Sequence, residues 1–418
     1  MVSTTNTARA ATLAVIVAAL GYFVDIYDLI LFGMVRIPSV QALLGPLATD
    51  NDVTNNGLFL FNAQMLGMLL GGILWGVIGD RRGRLAVLFG SITLYSLANI
   101  ANGMVTTVDQ YAVCRLIAGI GLAGELGAGI TLVSELMGRE NRGVGTTLVA
   151  ALGVSGGVVA GLIGGAFPSV PHPGWRVAYY IGGGLGLALL ILRIGVVESG
   201  MFHSTLANKT VRRGNFFALF TNKKRLLRYL AIIAVGVPVW FTIGIPFQFA
   251  NKVGAGLGLS PAPNPATALF FCYAGASIGG LACGLLGQYL KSRLRTLAIF
   301  LAADALAMVA YFALGGVSMT VFYALCFVGG FTTGYWAVFV STAAELFGTN
   351  LRATVTTTVP NFVRGSAVLL TIGFKALQPS LDWVGSAIAV GVFAFAVAAL
   401  GLWSLPETFA IDLDFHEE

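Results

Sequence analysis

Residues 56–84 read NGLFLFNAQMLGMLLGGILWGVIGDRRGR. The run up to Gly79 is apolar or small, with isolated amides at Asn62 and Gln64, and it breaks abruptly into Asp80, Arg81, Arg82, Gly83 and Arg84. A helix crossing a bilayer needs ~20 mostly apolar residues, and arginines gather at the cytoplasmic end of such a helix. This stretch therefore reads as one membrane span followed by a short cytoplasmic turn. Further apolar runs fall at 10–35, 85–106, 110–136, 144–167, 176–196, 228–250, 265–290, 295–315, 318–346, 353–377 and 384–404, which with 56–79 makes twelve. Composition agrees. Hydrophobic residues form 57% of the chain and charged residues 10%, and mean hydropathy is +0.85. Soluble domains carry roughly 25% charged residues, so this surface is suited to lipid. The 55 glycines suit helices that pack closely in a membrane.

The basic residues orient the chain. Arg81, Arg82, Arg84, Arg139, Arg142, Lys291, Arg293, Arg295 and Arg352 fall in loops on one side of a twelve-span arrangement. Lys209, Arg212, Arg213, Lys223, Lys224 and Arg225 share that side, whereas the opposite loops hold only Arg36, Arg176, Lys252 and Lys375. Both termini are expected in the cytoplasm. The net charge of +6 thus reflects topology and gives no sign of nucleic acid. Residues 1–9 are polar, and the run after them is too long for a signal-peptide core, so it reads as an uncleaved first span.

The chain is internally duplicated. Gly76-Val-Ile-Gly-Asp80 is matched by Gly284-Leu-Leu-Gly-Gln288, an offset of 284 − 76 = 208. Glu135-Leu-Met-Gly with Arg142 is matched by Glu345-Leu-Phe-Gly with Arg352, an offset of 345 − 135 = 210. Two motif pairs at nearly one offset imply two six-span halves. The expected division is 1–196, a cytoplasmic linker at 197–227, and 228–418.

These residues carry a family resemblance. Gly76…Asp80-Arg81-x-Gly83-Arg84 resembles the loop signature of the major facilitator superfamily, and Arg115-Leu-Ile-Ala-Gly119-Ile-Gly121-Leu-Ala-Gly124-Glu125 resembles its fourth-helix motif. Glu135 and Arg142-Gly143, together with Gly21-Tyr-Phe-Val-Asp25-Ile-Tyr27-Asp28, are similar to the metabolite:proton symporter, organic-ion transporter and sugar porter branch. The likeness covers essentially the whole chain. It departs at Gln288, where the first half has Asp80, and span five lacks the Gly-Pro signature of antiporters. The resemblance implies an all-α membrane fold of two pseudo-symmetric six-helix bundles, monomeric, working by alternating access. It also implies a cytoplasmic latch from Gly76, Asp80, Arg81, Gly83, Arg84, Glu135 and Arg142, repeated by Glu345 and Arg352.

Ionisable groups inside a bilayer are costly and point to function. Asp25 and Asp28 stand about one turn apart, and paired carboxylates of this kind can carry protons. Asp28 and Arg115 fall at similar depth, and by resemblance to proton-linked sugar porters they would form a coupling pair; a permanent buried ion pair is the other reading. Glu125 lies ten residues beyond Arg115 and reads as a second proton site, a substrate contact or a packing residue. Asp304 reads as a helix–helix hydrogen bond. Arg364 sits near mid-membrane in span eleven with no acidic neighbour in its own span, and its planar fork matches a carboxylate. It resembles the basic residue of organic-anion transporters; pairing with a carboxylate from another helix is the alternative. Tyr27, Gln64, Trp240, Gln248, Tyr335, Trp336 and Asn361 are candidate pocket residues or packing residues. Pro238 and Pro246 mark breaks or kinks in span seven.

The expected activity is proton-coupled uptake of a small organic anion, a carboxylate, across a bacterial inner membrane. A facilitator or exporter of a neutral or cationic compound is the first alternative, and a non-transporting sensor on the same scaffold the second. No Gly-x4-Gly-Lys-Ser/Thr loop for ATP occurs. Cys114, Cys272, Cys283 and Cys326 lie in apolar runs, and His172, His203 and His416 lack metal spacing, so neither a metal, a cofactor nor an enzyme is expected.

Overall fold

In lipid a backbone amide has no water to bond, so each apolar run must close its own hydrogen bonds and become helix. A computed structural model describes residues 4–137, 142–166, 174–194 and 214–417. In chain order the spans are Thr4–Leu44, Asp50–Arg82, Arg84–Asn102, Val108–Leu136, Gly143–Ile163 and Gly174–Leu192 for the first half. Lys223–Phe247, Pro265–Leu290, Arg293–Leu314 and Met319–Glu345 are spans seven to ten. The last helical run, Arg352–Ser404, is 53 residues long. At ~1.5 Å per residue that is about 80 Å, more than twice the ~30 Å hydrocarbon core. It breaks at Asp382 (φ 54°, ψ −166°), whose carboxylate accepts from the N–H groups of Val384 and Gly385 and so caps a new helix. The run is therefore spans eleven and twelve, joined by a one-residue turn.

Local chemistry explains the turns and breaks. Spans two and three meet at Gly83, whose φ of 99° would strain any side-chain-bearing residue, and Arg84 opens the next helix at once. Span seven loses its regular hydrogen bonding where Pro246 has no N–H to give. The chain widens there into a π turn at Ile243–Phe247, closed by Gln248 N–H on the Ile243 carbonyl at 3.0 Å. The expected linker at 197–227 is described only from 214, and span seven begins at Lys223, ahead of the expected 228.

Span two packs along span eleven, and span five along span eight, across the line between the halves. The first contact is backbone to backbone: a Cβ at Gly76 would come within 2.9 Å of Thr354 Cα. The repeat seen in the motifs is also a repeat of contacts. Arg84, first residue of span three, pairs with Glu135 at the end of span four at 2.7 Å; Arg293, first residue of span nine, pairs with Glu345 at the end of span ten at 3.0 Å. The C-terminal tail folds back beneath the second half, with Glu417 bonded to Arg225 and Arg228. Partial burial pushes the Glu407 carboxyl up, but Ser292 and the N–H groups of Arg293, Phe409 and Leu294 donate to it and hold it below the usual range.

Candidate functional site

Spans one, five, seven, eight, ten and eleven converge on a cavity at the molecular centre. Its walls are mainly aromatic and aliphatic: Tyr22 and Ile26 from span one, Val154, Trp240, Tyr273 and Trp336. One cation enters it. Arg364 is buried, donates to Asp25 Oδ2 at 3.4 Å and to Asn361 Oδ1 at 3.3 Å, and lies about 6 Å from the Tyr22 and Trp336 ring centres. Asn361 is itself fixed, because its amide donates to the carbonyls of Ala123 and Thr357. Trp336 Nε1 donates to the Tyr22 hydroxyl at 2.8 Å, which locks the two rings together. Arg364 Nε and Asp25 Oδ1 have no hydrogen-bond partner among the described residues. A buried guanidinium with a free donor, facing rings, is suited to a planar carboxylate on an apolar body.

The other buried charges lie inside the first half. Arg115 does not pair with Asp28. It donates to Gln64 and to the Tyr179 hydroxyl, and stacks over Phe32 at 4.1 Å. The two residues are at similar depth, but the Gln64 side-chain carbonyl and the Tyr179 hydroxyl hold the two terminal nitrogens of the guanidinium, so Arg115 and Asp28 act on each other without contact. Glu125 meets Arg193, at the cytoplasmic end of span six, and accepts from Ser91 at 2.7 Å. Asp304 accepts from Thr332 of span ten at 2.8 Å.

At the face that carries the basic loops Asp80 reaches across the midline. Its carboxylate accepts from Ala353 N–H at 3.1 Å, Thr354 N–H at 2.9 Å and the Thr354 hydroxyl at 2.7 Å. It thus sits at the N-terminus of span eleven, where unpaired N–H groups and the helix dipole favour an anion. Glu135 adds a second crossing to Arg352 at 3.2 Å. In the other half Gln288 packs against Gly143 at the start of span five, where an amide brings no charge. Arg81 is exposed and outside this lock, and the Arg142 side chain lies outside the described residues. The opposite face is bridged as well, by Lys252 to Asp50, Lys375 to Asn55 and Arg36 to the Gln248 backbone carbonyl. With both faces closed, the cavity measures about 30 Å³. That admits one or two waters.

Asp80→Ala removes three bonds between the halves, so the cytoplasmic side should open more often. On a chain whose native cysteines are replaced by alanine, Thr357→Cys should react with a membrane-impermeant maleimide from the cytoplasmic side at least fivefold faster when Asp80 is alanine. An unchanged rate would show that Asp80 does not hold the gate.

Of the residues expected in a pocket, the structure brings Arg364, Trp240 and Trp336 to the cavity, with Asn361 orienting Arg364. Tyr27 donates to Ala178 O, Tyr335 to Val235 O, Gln64 serves Arg115, and the Gln248 side chain lies against Gly33 of span one. These four are turned away. Sequence reasoning missed Tyr22, Tyr273 and Arg193. Tyr22 carries a signal, one turn before Asp25 on the face that also bears Ile26.

The sequence matches the Major Facilitator Superfamily over residues 13–371. The chain belongs to that superfamily. This major facilitator is 27% identical over 353 residues to the 3-(3-hydroxy-phenyl)propionate transporter of Escherichia coli (strain K12), covering 83% of this chain and 84% of that protein. It is 25% identical over 410 residues to the probable 4-methylmuconolactone transporter of Cupriavidus pinatubonensis (strain JMP 134 / LMG 1197), covering 94% and 90%. Its fold matches the solved proton:xylose symporter XylE with a TM-score of 0.75 at 16% identity, over 97% of this chain and 98% of that one. It is an integral membrane transporter of the major facilitator fold and not an enzyme.

Proposed function

We propose that this major facilitator imports a small aromatic carboxylate together with a proton. The observation that carries the reading is Arg364: one buried guanidinium, shared by Asp25 and an aromatic cavity, with a donor still free. While Asp25 is charged it holds Arg364. Once Asp25 takes a proton the guanidinium is uncompensated, and a substrate carboxylate can replace the lost partner. Binding the anion thus favours protonation of Asp25, and the reverse, so the two travel together. The complex moves with no net charge from the pair. An anion entering alone against 100 mV would face ~2.3 kcal/mol. The aromatic substrate named for the Escherichia coli relative fits the walls of Tyr22, Trp240, Tyr273 and Trp336. In this reading the protein works as a monomer in a bacterial inner membrane with both termini in the cytoplasm.

Liposomes that contain the protein and a pH-sensitive dye test this. Phenylpropionates, benzoates, sugars and amines would be added in turn, with protein-free liposomes correcting for leak of the free acid. Acidification with the aromatic carboxylates alone is expected. Labelled-substrate equilibration with no acidification would reduce the protein to a facilitator, and a response to amines or sugars instead would overturn the assignment of Arg364.

A further inference from the structure

Neither the cavity nor the gates use a polar seam inside the first half. Ser91, Tyr95, Asn99 and Asn102 recur at helical spacing along span three, so one face of that helix is polar from its middle to its outer end. All four are buried to 1% exposure or less. The cytoplasmic end of the seam is satisfied, since Ser91 donates to Glu125. Beyond it the partners run out. The Tyr95 hydroxyl, Ser96 Oγ, Asn102 Oδ1 and Arg115 Nε have no hydrogen-bond partner among the described residues, and the Asp28 carboxylate has only the Asn99 amide beside it. Each such atom costs about 1–3 kcal/mol if left dry, and native interiors keep only a few per hundred residues. A concentration of them in one place needs a shared remedy, and water bridging two to four groups at once is the usual one.

Span six shows that Asp28 belongs to this seam. Gly182 and Gly186 stand one turn apart on one face of it. A Cβ at Gly182 would collide with Asp28 Oδ1, and one at Gly186 with Ser96 Oγ, beside the Tyr95 ring. The missing side chains leave the space that the seam occupies. Asp25, by contrast, faces Arg364, which lines the cavity. Span one therefore turns its two carboxylates, about 60° apart around the helix axis, toward different neighbours.

We propose that the seam is hydrated and delivers the proton to Asp25, with Asp28 as the relay. This rests on the symport reading above. An O–H bond of a hydronium ion in outer water breaks, leaving water, as a new one forms on an Asp28 oxygen. That bond breaks as a new one forms on the Asp25 carboxylate, one turn and about 4.5 Å along the helix axis away. Asp28 is left anionic and takes the next proton, while Asp25, now neutral, releases Arg364. The charged and titratable groups facing Asp28 are Asp25 and Tyr27 on its own span, Tyr95 on span three, Arg115 on span four and Tyr179 on span six. The Glu125–Arg193 pair closes the seam toward the cytoplasm. Substrate and proton would reach the central site along adjacent faces of span one.

Hydroxyl-radical footprinting of the full-length protein reads the water directly, because radicals born from bound water oxidise the side chain next to it. Tyr95 should be oxidised at least tenfold faster than Tyr311, an equally buried tyrosine whose hydroxyl is satisfied by the Pro246 carbonyl. Asn99→Leu should protect Tyr95 and lower the ratio of proton-driven uptake to counterflow exchange at least tenfold, and Asn99→Ser, polar and smaller, should restore it. Equal protection of Tyr95 and Tyr311, or a wild-type ratio in Asn99→Leu, overturns the relay alone. Substrate uptake by the wild-type protein without protons overturns the symport reading and the relay with it. The footprint needs no variant, so the proposal stays testable if Asn99→Leu does not fold.

Discussion

Arg364→Ala is expected to weaken binding of an aromatic carboxylate by about 30-fold to more than 1,000-fold. Truncating one partner of a buried, hydrogen-bonded charge pair typically costs 2–5 kcal/mol, and each ~1.4 kcal/mol is tenfold in affinity. The substitution also strips the buried Asp25 of its cation. Asp25 then holds its proton permanently, because a lone buried carboxylate neutralises rather than stays charged. Arg364→Lys separates charge from geometry. It keeps the cation but loses the planar fork, and should bind carboxylate more weakly than wild type and more tightly than Arg364→Ala. Isothermal titration of the purified protein with 3-phenylpropionate gives the three affinities. Equal affinity in wild type and Arg364→Ala would remove Arg364 from the substrate site and leave it as a packing pair with Asp25.

Asp25→Asn is the second large effect. The amide mimics the protonated carboxyl and cannot release a proton, so Arg364 stays available to substrate throughout the cycle. Counterflow exchange of labelled substrate at equal pH should persist near the wild-type rate, while accumulation driven by a pH gradient falls to the level of protein-free liposomes. Wild-type carboxylate binding should weaken as pH rises, since ionised Asp25 competes for the guanidinium, and Asp25→Asn should bind independently of pH. The sign follows from the exchange itself: substrate anion and proton enter together, so removing protons removes affinity. If Asp25→Asn still accumulates substrate against its gradient, coupling resides elsewhere, and Asp28 is the next group to test.

The membrane fold was legible because its rule is local. A run of apolar residues long enough to cross lipid has one solution, a helix, whatever surrounds it. The boundary between spans eleven and twelve was equally plain, since 353–377 and 384–404 are separated by a polar break, and Asp382 is the residue that turns the chain. The duplication predicted paired contacts, and Arg84–Glu135 and Arg293–Glu345 are such a pair, although Arg293 read only as a loop cation. Motif residues at loop ends were legible for the same reason: Asp80 acts one residue beyond an apolar run, where few other partners compete for it.

Partner choice among buried charges was not legible. Depth along each helix put Asp28 opposite Arg115, yet depth leaves the rotation of each helix about its own axis free. A rotation of 100° separates successive residues on a helix of 3.6 residues per turn, enough to give Arg115 to Gln64 and Tyr179, Arg364 to Asp25, and Glu125 to Arg193. That rotation is set by how glycines and rings from non-adjacent spans pack, as Gly182 against Asp28 and Trp336 against Tyr22 do. By itself, the sequence determined that this chain is a twelve-span major facilitator built from two repeated halves, with a cation in span eleven, because hydrophobic length, motif and repeat spacing are properties of the chain alone. Only the tertiary structure decided that Asp25 shares that cation with an aromatic cavity while Asp28 faces a separate seam. Which carboxylate meets which guanidinium depends on helix rotation, and in this protein contacts between residues more than 300 positions apart set it.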